Sequence, residues 1–85
     1  MRVISQNGKF DLPYENLVIF VEYENVIARF ENERHLLAQY STKAKAIKAM
    51  EMLREAWINE TVEFEDGIYH RNIIFQFPKD SEIEV

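Results

Sequence analysis

The chain has 85 residues, a formal net charge of −5, 47% apolar residues and no cysteine. That length supports one domain with one modest core. The missing cysteine excludes disulfide staples and thiolate metal ligands, and the acidic balance argues against nucleic acid as a partner. The N-terminal MRVISQNGKF has no apolar run of signal-peptide length, and the longest such run, Leu17 to Val21, is far too short to span a membrane. A cytoplasmic chain is expected.

Arg2 to Gln6 and Lys9 to Leu12 flank Asn7-Gly8, a dipeptide suited to a type I′ turn with positive φ at both central residues. A two-residue loop there pairs Ser5 with Phe10 and Val3 with Leu12, and Pro13 ends the second strand because it has no N–H to donate. A three-strand meander follows, over Leu17 to Tyr23, Val26 to Glu31 and Arg34 to Tyr40. A loop at Glu24-Asn25 pairs Tyr23 with Val26, which gathers Leu17, Ile19, Val21, Tyr23, Val26, Ala28 and Phe30 on one face. The third strand matches that face with Leu36, Ala38 and Tyr40 only if the loop around Asn32 has odd length. A two-residue loop places His35 and Gln39 inward, so the odd loop is expected.

Ser41 to Ile58 is the one stretch with sustained helical spacing, its stripe formed by Ala46, Met50, Leu53 and Trp57. Ser41 or Thr42 caps it, although Lys43, Lys45 and Lys48 sit at the end where the helix dipole prefers anions. Beyond the helix, Thr61 to Glu65 alternates, Asp66-Gly67 signals a turn, and Ile73, Phe75 and Phe77 form a final strand stopped by Pro78. The expected fold is α+β: a small antiparallel sheet built from an N-terminal hairpin, a three-strand meander and a C-terminal strand or hairpin, with one helix packed on one face. Residues 1–79 make the domain, and the acidic tail 80–85 is expected to fray.

The residues that carry chemistry elsewhere are sparse. With two glycines there is no phosphate-cradling loop, and there is no G-x-S-x-G. His35 and His70 have no ligand spacing, so neither a metal nor another cofactor is implied. The chain reads as non-enzymatic. Two surfaces stand out. The outer face of the meander carries Val18, Phe20, Ile27 and Leu37 beside Arg29, Glu22 and other charges, an apolar centre with a charged rim. It is open unless a terminal segment folds over it, and a protein partner or a second copy is the expected occupant. The weaker candidate is an anion or nucleic-acid site at the helix start, formed by Ser41, Thr42, Lys43, Lys45 and Lys48.

SQNGKFDLPYEN near the start, YSTKAKAIKAMEMLREAW in the middle and FQFPKDSEIEV at the end resemble a family of short, uncharacterised proteins of Gram-positive bacteria and their prophages. The resemblance spans most of the chain except Asn59 to Arg71. It implies a bacterial or phage protein and brings no catalytic residues with it.

Overall fold

The computed structural model describes residues 1–59, 61–64, 67–70 and 74–85, with the segments 61–64 and 67–70 given as backbone. The elements run β1 (Arg2–Ile4), β2 (Asp11–Pro13), β3 (Val18–Glu22), β4 (Asn25–Phe30), β5 (Glu33–Gln39), α1 (Lys43–Asn59), β6 (Thr61–Phe64), β7 (Gly67–His70) and β8 (Ile74–Gln76). They form a small α+β fold. One sheet has the order β2-β1-β8, a second β3-β4-β5, and β6 pairs with β7. The strands expected in one antiparallel sheet are divided among these sheets, and β8 runs parallel to β1, with Val3 opposite Phe75. The long connection through α1 allows that crossover. Ile73 and the Asp66 half of the second turn signal lie outside the described residues.

The first hairpin keeps the expected register, Val3 opposite Leu12, and the Ser5 N–H donates to the Phe10 carbonyl at 3.0 Å. Its turn is not type I′. Only Gly8 takes positive φ, at 76°, and the Gly8 N–H closes on the Ser5 carbonyl at 2.9 Å. Asn7 instead spends its side chain locally: its Oδ1 accepts from Ser5 Oγ at 2.7 Å and from the Lys9 N–H at 2.9 Å. An asparagine bonding its own turn this way has no need of the left-handed region.

β3 and β4 have the expected faces apart from Tyr23, whereas the faces of β5 differ and the turns differ throughout. β3 and β4 are joined at Tyr23-Glu24, so Val21 pairs with Val26 and Ile19 with Ala28. This register lies two residues from the expected one and so preserves which side chains share a face. Tyr23 leaves the core face for the loop tip, where it is 75% exposed with φ at 57°. Between β4 and β5 the loop is Glu31-Asn32, with φ of 52° and 67°, the pair of positive values a type I′ turn requires. The odd loop is therefore corrected to an even one. Parity is restored inside β5 by a bulge, because Ile27 pairs with Leu36 while Val26 pairs with Ala38. Leu37 is the extra residue, and Leu37 and Ala38 are both buried in succession. His35 does lie opposite Ala28, half-buried, its ring 5.1 Å from that of Phe10.

α1 packs on β3 and β4. Ala46 and Ala49 on the helix and Ala28 and Ala38 on the sheet are fully or almost fully buried, and small side chains on both layers let them approach closely. Leu53, also buried, contributes roughly 1.5–3 kcal/mol by leaving water. Trp57 is half-buried at the end of the stripe, with the Tyr14 ring 4.8 Å away. Val3 joins the same core from the other sheet, and Phe77 and Ile83 from the segment that follows β8.

Gln6 locks the two sheets together. Its N–H donates to the Leu37 carbonyl at 2.7 Å, its Oε1 accepts from the Gln39 N–H at 3.1 Å, and its Nε2 donates to the Pro78 carbonyl at 3.1 Å. The tail beyond residue 79, expected to fray, is tied down instead. Asp80–Glu82 forms a 3₁₀ turn and Ile83 enters the core.

Candidate interaction face

The register across β3, β4 and β5 sorts the outer side chains into rows: Val18–Arg29–Arg34, Phe20–Ile27–Leu36 and Glu22–Asn25–Gln39. Arg29 and Arg34 stand directly opposite each other, an unfavourable like-charge pair. Arg34 escapes by leaning along the strand. Its guanidinium lies 5.7 Å from the Phe20 ring centroid, and its Nη2 reaches Glu22 Oε2 at 2.9 Å. Arg29 remains exposed and makes no ion pair among the described residues.

The expected face is thus assembled in part. Val18 is 61% exposed, Arg29 is exposed and Phe20 is half-buried. Ile27 is 7% exposed, shielded in the middle of its row, and Leu37 is 1% exposed. The bulge turns Leu37 inward and puts Leu36 on the outer face in its place, 47% exposed. Leu37 is therefore corrected from the face to the core. Asn25 Oδ1 is buried without a hydrogen-bond partner among the described residues. The hairpin loop guards the β5 side of this sheet through Gln6, while β3 forms the opposite edge. Beside β3, an open groove of about 650 Å³ runs toward α1, lined chiefly by Leu17, Ile19, Val21, Ile47, Met50 and Trp57.

The helix start has a different composition from the one expected. Thr42 Oγ1 caps α1, accepting from the Lys45 N–H at 3.2 Å. The anion beside it is the chain's own Asp80. Its carboxylate accepts from the Ser41 N–H at 2.6 Å and from Ser41 Oγ at 3.2 Å, and Lys45 Nζ lies 3.1 Å from Oδ2. Ser41 and Lys45 are brought together, whereas Lys43 is exposed outside the cluster and Lys48 faces Glu51 at 3.9 Å. The lysines that oppose the dipole are offset by a carboxylate supplied from the other end of the chain. The Ser41 backbone bond, then Lys45, holds the Asp80 carboxyl below the ordinary carboxylate range.

Among the described residues no group of three or more His, Cys, Asp or Glu is placed to hold a metal ion, and no helix is long and apolar enough to cross a membrane. Comparison with protein-family models, with curated proteins and with solved structures finds no match.

Proposed function

We infer that this chain is a non-enzymatic association domain of the cytoplasm of a bacterium or its prophage, docking protein through the outer face of β3-β4-β5. The observation that carries the reading is the Phe20–Ile27–Leu36 row extended by exposed Val18, an apolar strip bordered by Arg29, Arg34 and Glu22. Interfaces combine such a centre with such a rim. The opposite face of the same sheet is taken by α1, so the strip is surplus to the core. The nucleic-acid reading has less support, because Asp80 already occupies the helix start. The bacterial assignment rests on the sequence resemblance.

Affinity capture from lysate of the source cells, with the parent chain and Leu36→Glu side by side, tests the reading. A protein retained stoichiometrically by the parent and lost from a folded Leu36→Glu chain supports it. Identical capture by both chains removes the face from consideration.

A further inference from the structure

We propose that β3 pairs with β3 of a second copy, antiparallel across a two-fold axis at Phe20, and that this pairing closes the groove between β3 and α1. The inference goes beyond the outer-face reading above: its interface is the β3 edge, and it names one partner, this chain itself.

The edge is the first reason. Gln6 covers the β5 side of the sheet, but no described strand pairs with the outer side of β3. Natural edges are blunted by proline, by charged side chains, lysine above all, or by a bulge. Val18–Glu22 reads VIFVE, with no proline or lysine and a single charge, Glu22, at its end, and the sheet's bulge lies in β5. The two-residue loop at Tyr23-Glu24 makes Glu22 and Asn25 a hydrogen-bonded pair, after which hydrogen-bonded and open pairs alternate. Phe20 and Val18 therefore bond inward to β4. Ile19 and Val21 direct their N–H and C=O groups outward.

The strand is also complementary to itself. Centred on Phe20, the antiparallel pairing sets Ile19 against the partner's Val21, and by symmetry Val21 against the partner's Ile19. Each pair exchanges both backbone bonds, and all the outward groups of Ile19 and Val21 are satisfied. On the outer face, Val18 meets the partner's Glu22. That carboxylate extends the row Val18–Arg29–Arg34, next to the arginine that has no ion pair of its own. Each Glu22 then lies between its own Arg34 and the partner's Arg29, and the charge match occurs twice.

Area decides the strength. Joining two short strands alone falls well below the roughly 800 Å² per partner of a standard interface. A two-fold axis perpendicular to the sheet keeps both helices on one side, so the apolar groove walls, Ile19, Val21, Ile47 and Met50, face their counterparts. The added burial supports a weak dimer, with a dissociation constant on the order of micromolar.

The test uses the absence of native cysteine. Phe20 lies on the axis as a non-hydrogen-bonded pair with its counterpart, where Cα atoms approach to about 4.5 Å, within disulfide range. Phe20→Cys should form a covalent dimer under mild oxidation at least tenfold faster than Leu36→Cys on β5. Val21→Pro, checked for fold by circular dichroism, should sediment as a monomer where the parent associates at high micromolar concentration. Leu36→Glu should leave both the sedimentation and the cross-linking of a Phe20→Cys background unchanged. Equal cross-linking of Phe20→Cys and Leu36→Cys, or a parent chain that stays monomeric at millimolar concentration, overturns the pairing. Association abolished by Leu36→Glu without Phe20→Cys cross-linking also overturns it, while leaving the outer face as a docking surface. Should Val21→Pro fail to fold, the cysteine comparison decides alone.

Discussion

The Asp80 carboxylate accepts the Ser41 backbone N–H at 2.6 Å, across 39 residues of sequence. This contact helps fasten the C-terminal segment to the start of α1. It also supplies the negative charge that the first helical turn, with no acid of its own, does not. The sign of its pH effect follows. Asp80 is held below its ordinary value of 3.8, by the Ser41 bond first and then by Lys45. A lowered carboxyl contributes stability that is fully present above the unfolded value and is lost as pH falls through the folded one. Thermal melts from pH 6 to pH 2 should show a steeper acid loss for the parent than for Asp80→Asn, with Asp80→Asn less stable at pH 6. Parallel curves would mean that the contact contributes nothing to folding.

Tyr40 gives the opposite slope at the other end of the scale. Burial first, then the charges of Asp80 and Glu82, push its hydroxyl well above the ordinary 10.0. The hydroxyl donates to the Pro78 carbonyl at 2.8 Å. A raised value means that stability is complete below about pH 10 and drains away as pH climbs toward the folded value. Tyr40→Phe should cost about 1 kcal/mol at neutral pH for the lost hydrogen bond. It should also flatten the decline above pH 10, as read by urea denaturation across the alkaline range.

Adjacent leucines should behave in contrary ways. Leu37→Ala should cost about 2–5 kcal/mol because it empties a buried site, whereas Leu36→Ala on the outer face should stay within about 0.5 kcal/mol. Chemical denaturation of the two variants checks the bulge directly. Equal losses would mean that β5 has no bulge at Leu37.

The turn at Glu31-Asn32 stores strain. Both residues take positive φ, which costs a residue with a Cβ roughly 1–2 kcal/mol relative to glycine. Replacing the pair by Asn-Gly, the favoured type I′ dipeptide, should stabilise the protein by about 1 kcal/mol. Thermal denaturation of the double variant should show a higher Tm. A lower Tm would mean that the native side chains make compensating contacts.

Much of this fold is legible in the sequence where one periodic signal acts alone. The stripe of Ala46, Met50, Leu53 and Trp57 predicts the helix and its buried face, and alternation predicts which residues of β3 and β4 face inward, Tyr23 excepted. The first hairpin register follows from Val3 and Leu12. What escapes is what local patterns underdetermine. Asn7-Gly8 looks like the type I′ turn, yet Asn7 bonds its own loop, and the left-handed pair falls on Glu31-Asn32, where glutamate gives no such signal. Leu36-Leu37-Ala38 is apolar throughout, so nothing in the spelling says that Leu37 is the bulged residue. Of the residues expected on the outer face, Val18, Phe20 and Arg29 retain exposure there, Ile27 is shielded within its row, and Leu37 lies in the core. Sequence alone leaves the helix start only a weak candidate for an external anion and gives no sign of its internal one, because Asp80 is distant in sequence and lies in a polar tail. Ile83 is the one tail residue that signals otherwise.

Amide hydrogen exchange at Ile19 and Val21, followed across a concentration series, bears most directly on association through β3. These two amides should exchange rapidly at low micromolar concentration and become protected as concentration rises, while Phe20 and Ile27, bonded within the sheet, stay constant. Exchange at Ile19 and Val21 that does not change with concentration, whether fast or slow, would contradict an edge that pairs with a second copy.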